Sequence, residues 1–213
     1  MFSNRYIATI ALSLVLPSLI PAAFAETDGA IEEIIVTADF RSKSELDTAS
    51  SVTVMTETVI KSRAAQHLEE LVNAIPNVNY SSGSNRARFF QIRGIGERSQ
   101  FSAPINPSVG FLIDNVDFSG AGTIATMMDV EQVEVLRGPQ GTRYGANALA
   151  GLINVKTNDP EDQFAAKLKL GAADYNTNTA SAMITGPLND SVSARLALGT
   201  YRSDGYYKND FLR

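Results

Sequence analysis

Three stretches near the C-terminus alternate apolar and polar residues with a period of two, and they constrain the fold more than anything else in the chain. In "FAAKLKLGA", Phe164, Ala166, Leu168 and Leu170 fall on one face, opposite Lys167 and Lys169. In "NTASAMITGPL", Ala180, Ala182 and Ile184 oppose Thr179 and Ser181. In "SVSARLALGTY", Val192, Ala194, Leu196 and Leu198 oppose Ser193, Arg195 and Tyr201. Each run is about 10 residues, the length of a tilted strand that crosses a bilayer, and "GPLNDS" between the last two is a short turn. Two folds suit such runs: a transmembrane β-barrel, or a soluble β-sandwich with one wet face. Three runs in succession behind an export signal favour the barrel. A barrel must close, because an open edge leaves backbone groups unpaired in lipid. Three strands cannot close, so 161–213 is expected to be an incomplete barrel start, in a gene fragment or a truncated product.

The export signal is at the other end. Arg5 precedes an apolar run over 7–20, and "AFA" places small residues before a cleavage point after Ala25. The run is about 14 residues and is interrupted by Pro17, short of the roughly 20 needed to span a bilayer, so 1–25 reads as a cleaved signal peptide. Its removal leaves 17 basic residues against 23 acidic ones, since only Arg5 is lost. An acidic chain without a basic run is a poor nucleic-acid binder. The chain has no cysteine and a single histidine, His67, so neither disulfides nor a transition-metal site is expected. An exported protein free of disulfides is compatible with a bacterial envelope. His67 lies in "AAQHLEELV", read as a helical surface position.

Between these ends lies an α+β region of roughly 110 residues, enough to bury one core. "SSVTVMT" reads as a strand. Thr58 can then cap a helix over 59–71, with Leu68, Leu71, Val72 and Ile75 at helical spacing before Pro76. "RFFQIRGIG" and "SVGFLIDNVDF" read as strands, the latter a hairpin turning at Asp114 and Asn115. Val133 to Leu136 and "GLINVKT" complete the set. The polar leader, 26–44, contains one apolar island, "EIIVTA". It is either a segment suited to adding as a strand to a partner's sheet or the first strand of the domain.

The stretch "EVLRGPQGTRYGANALAGLINVKT" gathers Gly138, Gly141, Gly145 and Gly151 with Arg137, Arg143 and Tyr144. It is not a phosphate cradle, because no glycine is followed by Lys-Ser or Lys-Thr at P-loop spacing, and no G-x-G-x-x-G opens a helix. No nucleophile with a base and no metal cluster is recognisable, so the chain does not read as an enzyme.

The order of signal peptide, "EIIVTA", "IRG" (92–94), "LIDNVDF", "VEVLRGPQGTRYG", "GLINVKT" and alternating strands resembles the TonB-dependent outer-membrane receptors across 26–213. The resemblance implies an α+β plug domain inside an antiparallel transmembrane β-barrel of about 22 strands. It assigns 26–44 to a periplasmic leader, 45–160 to the plug and 161–213 to the first three barrel strands. Ile34, Ile35, Val36, Thr37 and Ala38 would form the TonB box, mobile without its partner. The box would be gripped by TonB, which is energised by ExbB and ExbD in the inner membrane. Arg93 and Arg137 occupy positions that pair with barrel glutamates. Gly94, Gly138, Gly141, Gly145 and Gly151 would give tight turns and close approach of the plug backbone to the barrel; Arg143 has no assigned role.

Loops 81–88, 96–107 and 118–123 would face outward. Within them Arg86, Arg88, Arg98, Ser99, Gln100, Phe101 and Phe118 would suit an anionic ligand with apolar parts. The resemblance further implies residence in the outer membrane of a Gram-negative bacterium, in contact with its lipid, and uptake of a scarce nutrient. That nutrient is most often a ferric siderophore, with carbohydrate or cobalamin as the alternative. No cofactor is expected, and any iron would travel inside the transported chelate.

Overall fold

The computed structural model describes residues 34–37, 43–44, 51–82, 86–99, 106–121 and 126–207. The signal peptide, Ala38, Gln100, Phe101, the side chain of Arg143 and residues 208–213 lie outside them. The short strands β1 (Ile35–Val36) and β2 (Lys43–Ser44) pair antiparallel. β3 (Ser51–Thr56) then leads into α1 (Glu57–Ser62), with Thr56 at its N-cap position. α2 (Leu68–Val72) follows, and β4 (Val78–Ser81) pairs antiparallel with β5 (Phe89–Ile92).

The single helix expected over 59–71 is two helices. Ala64 adopts a left-handed φ of 49°, and the Ala65 N–H donates to the Ile60 carbonyl as the chain reverses. The break lets Ile60 and Ala65 enter the core as well as Leu68, Leu71, Val72 and Ile75. His67 is correspondingly not inside a helix. It stands at the N-cap position of α2 and bridges Thr126 through its main chain.

β6 (Val109–Ile113) and β7 (Val116–Asp117) form the expected hairpin. Asp114 and Asn115 both have left-handed φ, 48° and 66°, as a two-residue turn matched to strand twist requires. β8 (Val130–Arg137) runs antiparallel to β3 and to β9 (Gly151–Thr157), and β9 runs parallel to β6. The sheet order is therefore β3-β8-β9-β6-β7. Between β8 and β9, α3 (Gly141–Tyr144) occupies the glycine-rich connection.

The central strands are covered on both faces, which explains their apolar runs. One face packs on the helices and on Phe90, whose ring stacks on that of Phe111 in β6 with centroids 5.9 Å apart. The other gathers Leu112, Leu136, Ala148 and Leu152 under Val52 and Tyr144. Gly151 opens β9 instead of sitting in a turn. With φ of 156°, a side chain there would press on the Leu136 carbonyl oxygen and on Ile92 Cδ1. The close approach it permits is thus within the sheet itself.

β10 (Ala165–Ala173), β11 (Thr177–Asn189) and β12 (Val192–Arg202) form an antiparallel meander with the alternation read from sequence. Leu168, Leu170, Ile184, Leu196 and Leu198 make an exposed apolar row. The opposite row meets the mixed domain: Thr185 is buried, and Met128 Sδ lies 2.6 Å from where a Cβ on Gly199 would stand. The three-stranded sheet is open, with β10 and β12 at its edges.

Candidate functional site

β8 and β9 give the domain two distinct ends. At one end lie Arg137 of β8, Gly151 of β9 and Val109 of β6, which are register neighbours. Three loops are rooted here. Gln91 donates through Nε2 to Ser81 Oγ (3.2 Å) and to the Glu97 carbonyl, while Ser108 donates through N–H and Oγ to Glu97 Oε1 (3.0 and 2.7 Å). Ser119 Oγ accepts from the Phe111 N–H at 3.0 Å, bringing in the third loop. Arg88 and Arg98 are exposed, with the Arg88 guanidinium carbon 5.4 Å from the Phe89 ring centroid. Ser99 is half-buried and Phe118 exposed. Arg86 is placed differently from Arg88 and Arg98: its Nε lies 3.1 Å from Glu69 Oε1 and it is half-buried.

Arg93 and Arg137 are brought together at this end. Arg93 Nη1 lies 3.9 Å from where a Cβ on Gly138 would stand, and Gly138 follows Arg137. Arg93 is exposed, with φ of 54° at the turn it shares with Gly94. The Arg137 guanidinium donates to the Pro76 carbonyl at 3.1 Å and the Val52 carbonyl at 3.4 Å. Neutral carbonyls thus take two of its donors without cancelling its charge. Gly138 and Gly145 have φ of 129° and 74°, whereas Gly141 opens α3 with open space where its side chain would be.

The other end carries Asp129, Thr157, Asn158 and the Asp114 turn, which Thr157 caps through N–H and Oγ1 at 2.8 Å each. Here the domain is fastened to the three-stranded wall. Arg195 of β12 donates to Asp129 through Nη2 (2.6 Å) and Nε (2.7 Å), a two-pronged, charge-assisted contact. Its Nη1 reaches Glu161 Oε1 at 3.3 Å, and the Glu161 N–H donates to Thr185 Oγ1 at 2.9 Å. Asp129 has φ of 55°, held by Asn158, which donates to its carbonyl through both N–H (3.0 Å) and Nδ2 (3.1 Å). This contact has a cation on the wall and an anion on the domain, the reverse of the polarity expected for Arg93 and Arg137.

The segment 34–37 lies on the sheet. Val36 is fully buried, and Thr37 donates to Glu134 Oε1 through its N–H (2.6 Å) and hydroxyl (2.8 Å). Burial of Val36 and the hydrogen bonds of Thr37 to Glu134 seat residues 36–37 on the sheet. Sequence reasoning missed Gln132, Glu134, Asp129 and the pairing of Arg195. A signal existed for the first two, as polar residues two apart and on the same face of the strand as Leu136.

A small mixed domain fastened to the polar face of an antiparallel wall, whose other face is apolar, defines the class of plugged-barrel receptors. The chain belongs to the TonB-dependent outer-membrane receptors: the family described as TonB-dependent Receptor Plug Domain matches residues 44–152. It is 29% identical over 178 residues to the pesticin receptor of Yersinia pestis, covering 82% of this chain and 26% of that protein. It is 26% identical over 180 residues to the vitamin B12 transporter of Vibrio vulnificus, covering 84% of this chain and 29% of that one. Among solved structures, the ferric yersiniabactin uptake receptor of Yersinia pestis matches with a TM-score of 0.61 at 27% identity, covering 70% of this chain and 24% of that one. The chain thus spans 24–29% of the length of these relatives. The family consists of transport receptors, not enzymes.

Proposed function

We propose that the chain is the plug and first wall strands of an outer-membrane receptor for active uptake of a scarce nutrient, a ferric siderophore or similar iron complex. The observation that carries this reading is the polarity of the plug. Its outward loops are rooted at the end bearing Arg93 and Arg137, and its N-terminal box rests on the sheet nearer the wall-fastened end. Exposed Arg98, and exposed Arg88 with its guanidinium carbon 5.4 Å from the Phe89 ring centroid, suit an anionic chelate with apolar parts. The likeness to a ferric yersiniabactin uptake receptor supports iron as the cargo. Arg93 and Arg137 take wall glutamates, leaving Arg137's carbonyl contacts as its seat. Residues 34–38 are the TonB box and bind TonB by strand addition, with ExbB and ExbD supplying the energy. The exposed Leu168, Leu170, Leu196 and Leu198 row faces outer-membrane lipid, and 1–25 is a cleaved signal peptide. Deleting the gene and measuring growth on defined ferric siderophores, cobalamin and oligosaccharides tests the reading. Loss of growth on one ferric siderophore is expected; loss confined to cobalamin or a sugar refutes the iron assignment.

A further inference from the structure

The exposed Arg88 and Arg98 stand on different loops, yet one buried amide holds the roots of both. Gln91 of β5 is buried, and its Nε2 donates to Ser81 Oγ at 3.2 Å, to the Phe89 carbonyl at 3.3 Å and to the Glu97 carbonyl. Ser81 ends β4, two residues beyond Asn79, the register partner of Gln91, so its side chain falls on the same face of the pair. The Arg88 N–H donates to the Ser81 carbonyl at 3.2 Å, and Arg98 directly follows Glu97. Each arginine is thus bonded or joined to a residue that Gln91 grips.

The backbone is folded to bring Glu97 to that amide. Ile92 and Ile95 exchange backbone bonds of 2.9 and 3.0 Å around Arg93 and Gly94. Those two residues have left-handed φ of 54° and 81°, as a tight two-residue turn requires. The chain reverses there, and Gly96 passes close over β5: a Cβ on it would stand 2.9 Å from Gln91 Cα and closer still to the Phe90 carbonyl oxygen. Glu97 is also held by its carboxylate, which accepts from the Ser108 N–H (3.0 Å) and Oγ (2.7 Å) at the foot of β6. The Ala150 N–H fixes Ser108 in turn, donating to its carbonyl at 2.8 Å. An apolar side chain would fill the Gln91 position without the desolvation cost of a buried amide. What the amide supplies is a fixed separation between two loops.

We propose that Gln91 is a positioning residue for ligand recognition: by gripping Ser81 and Glu97 together it sets the spacing of Arg88 and Arg98, which meet an anionic ligand as a pre-arranged pair. Binding then orders less than it would with two independent loops. The proposal rests on the reading of the chain as a receptor for a ferric chelate, and its test separates the two. The chain has no cysteine, so Arg88→Cys with Arg98→Cys gives one pair of spin labels in the full chain in detergent. Gln91→Met removes the amide and keeps an unbranched side chain of similar length. Ser81→Ala, at a half-buried position, frees one loop only and serves where Gln91→Met does not fold. The expected result is a broader distribution of distances between the labels in each variant. In complete receptors that keep both arginines, affinity for a trianionic ferric tris-catecholate should fall about three- to tenfold, the scale of one side chain left unordered. Affinity for a neutral ferric trihydroxamate should not change. An unchanged distance distribution overturns the proposal. So does a tris-catecholate affinity that survives the substitution or falls no further than that of the trihydroxamate, since general loosening of the plug would weaken both alike. A broader distribution with neither chelate bound by any receptor, the parent included, supports the spacing role of Gln91 and refutes the ferric-chelate reading.

Discussion

Arg195→Gln should loosen the plug from its wall. The Arg195 side chain is 11% exposed and that of Asp129 20%, between a surface pair and a buried one. Surface pairs contribute about 0–1 kcal/mol, and removing one partner of a buried pair costs about 3–5 kcal/mol. Two charge-assisted bonds at 2.6 and 2.7 Å, in a site this sheltered, place the loss at about 2–3 kcal/mol. Asp129→Asn should cost less, about 1–2 kcal/mol: asparagine tolerates the left-handed φ of 55° and keeps one acceptor.

A double-mutant cycle isolates the pair from the side effects of each change. The full chain in detergent, unfolded by denaturant, should give a coupling energy of at least about 1 kcal/mol between the two positions. Amide exchange should localise it, with both variants speeding exchange in β12 near Arg195 and at the start of β8, and leaving β4 and β5 unchanged. The coupling should also persist at high salt, which screens exposed pairs far more than sheltered ones. A cycle additive within about 0.5 kcal/mol, or exchange rising uniformly through the plug, would refute the account of this contact as a specific fastening.

Gly151→Ala meets both a left-handed φ and the Leu136 carbonyl, and should destabilise by about 2–4 kcal/mol by chemical denaturation. Burial raises the Asp117 carboxyl, but hydrogen bonds from Ser119 and Asn147 outweigh it and leave the pKa below 3.8. A depressed carboxyl stabilises above its unfolded value and loses that contribution as pH falls through the folded one. The stability curves of the parent and Asp117→Asn should therefore converge below pH 3.8, as read by unfolding at graded pH. Ile35→Pro deletes a backbone donor of the box; in the complete receptor it should abolish uptake and leave ligand binding intact, and unchanged uptake would remove the box assignment.

Much of the fold was legible because it is written in local periodicity. The wall strands declared themselves through side chains alternating along ten-residue runs, and the β6 and β7 hairpin through the Asp114 and Asn115 turn. The helical region was misread because periodicity cannot see a break that keeps the core positions in phase. Ile60 and Leu68 both face the core although Ala64 has turned the chain between them. The segment 34–37 left two readings open, since Ile34, Ile35 and Val36 look alike whether destined for this sheet or another. Its burial depends on Glu134, 97 residues away from Thr37.

The contacts that escaped sequence reasoning share a physical character. Thr37 with Glu134, and Arg195 with Asp129, join segments distant in the chain through polar groups on otherwise apolar strands. Apolar packing specifies only that a face be covered, and many segments could cover it. A charged or amide group in the same place accepts only a partner with matching donors and acceptors, because leaving it unpaired costs about 1–3 kcal/mol or more. The apolar pattern therefore decides that there is a plug and a wall. These few polar contacts decide which end of the plug meets the wall and which strand lies across β8. For the same reason the two contacts are separate: Asp129, just before β8, takes its donors from Arg195, whereas Glu134 within β8 takes its own from Thr37.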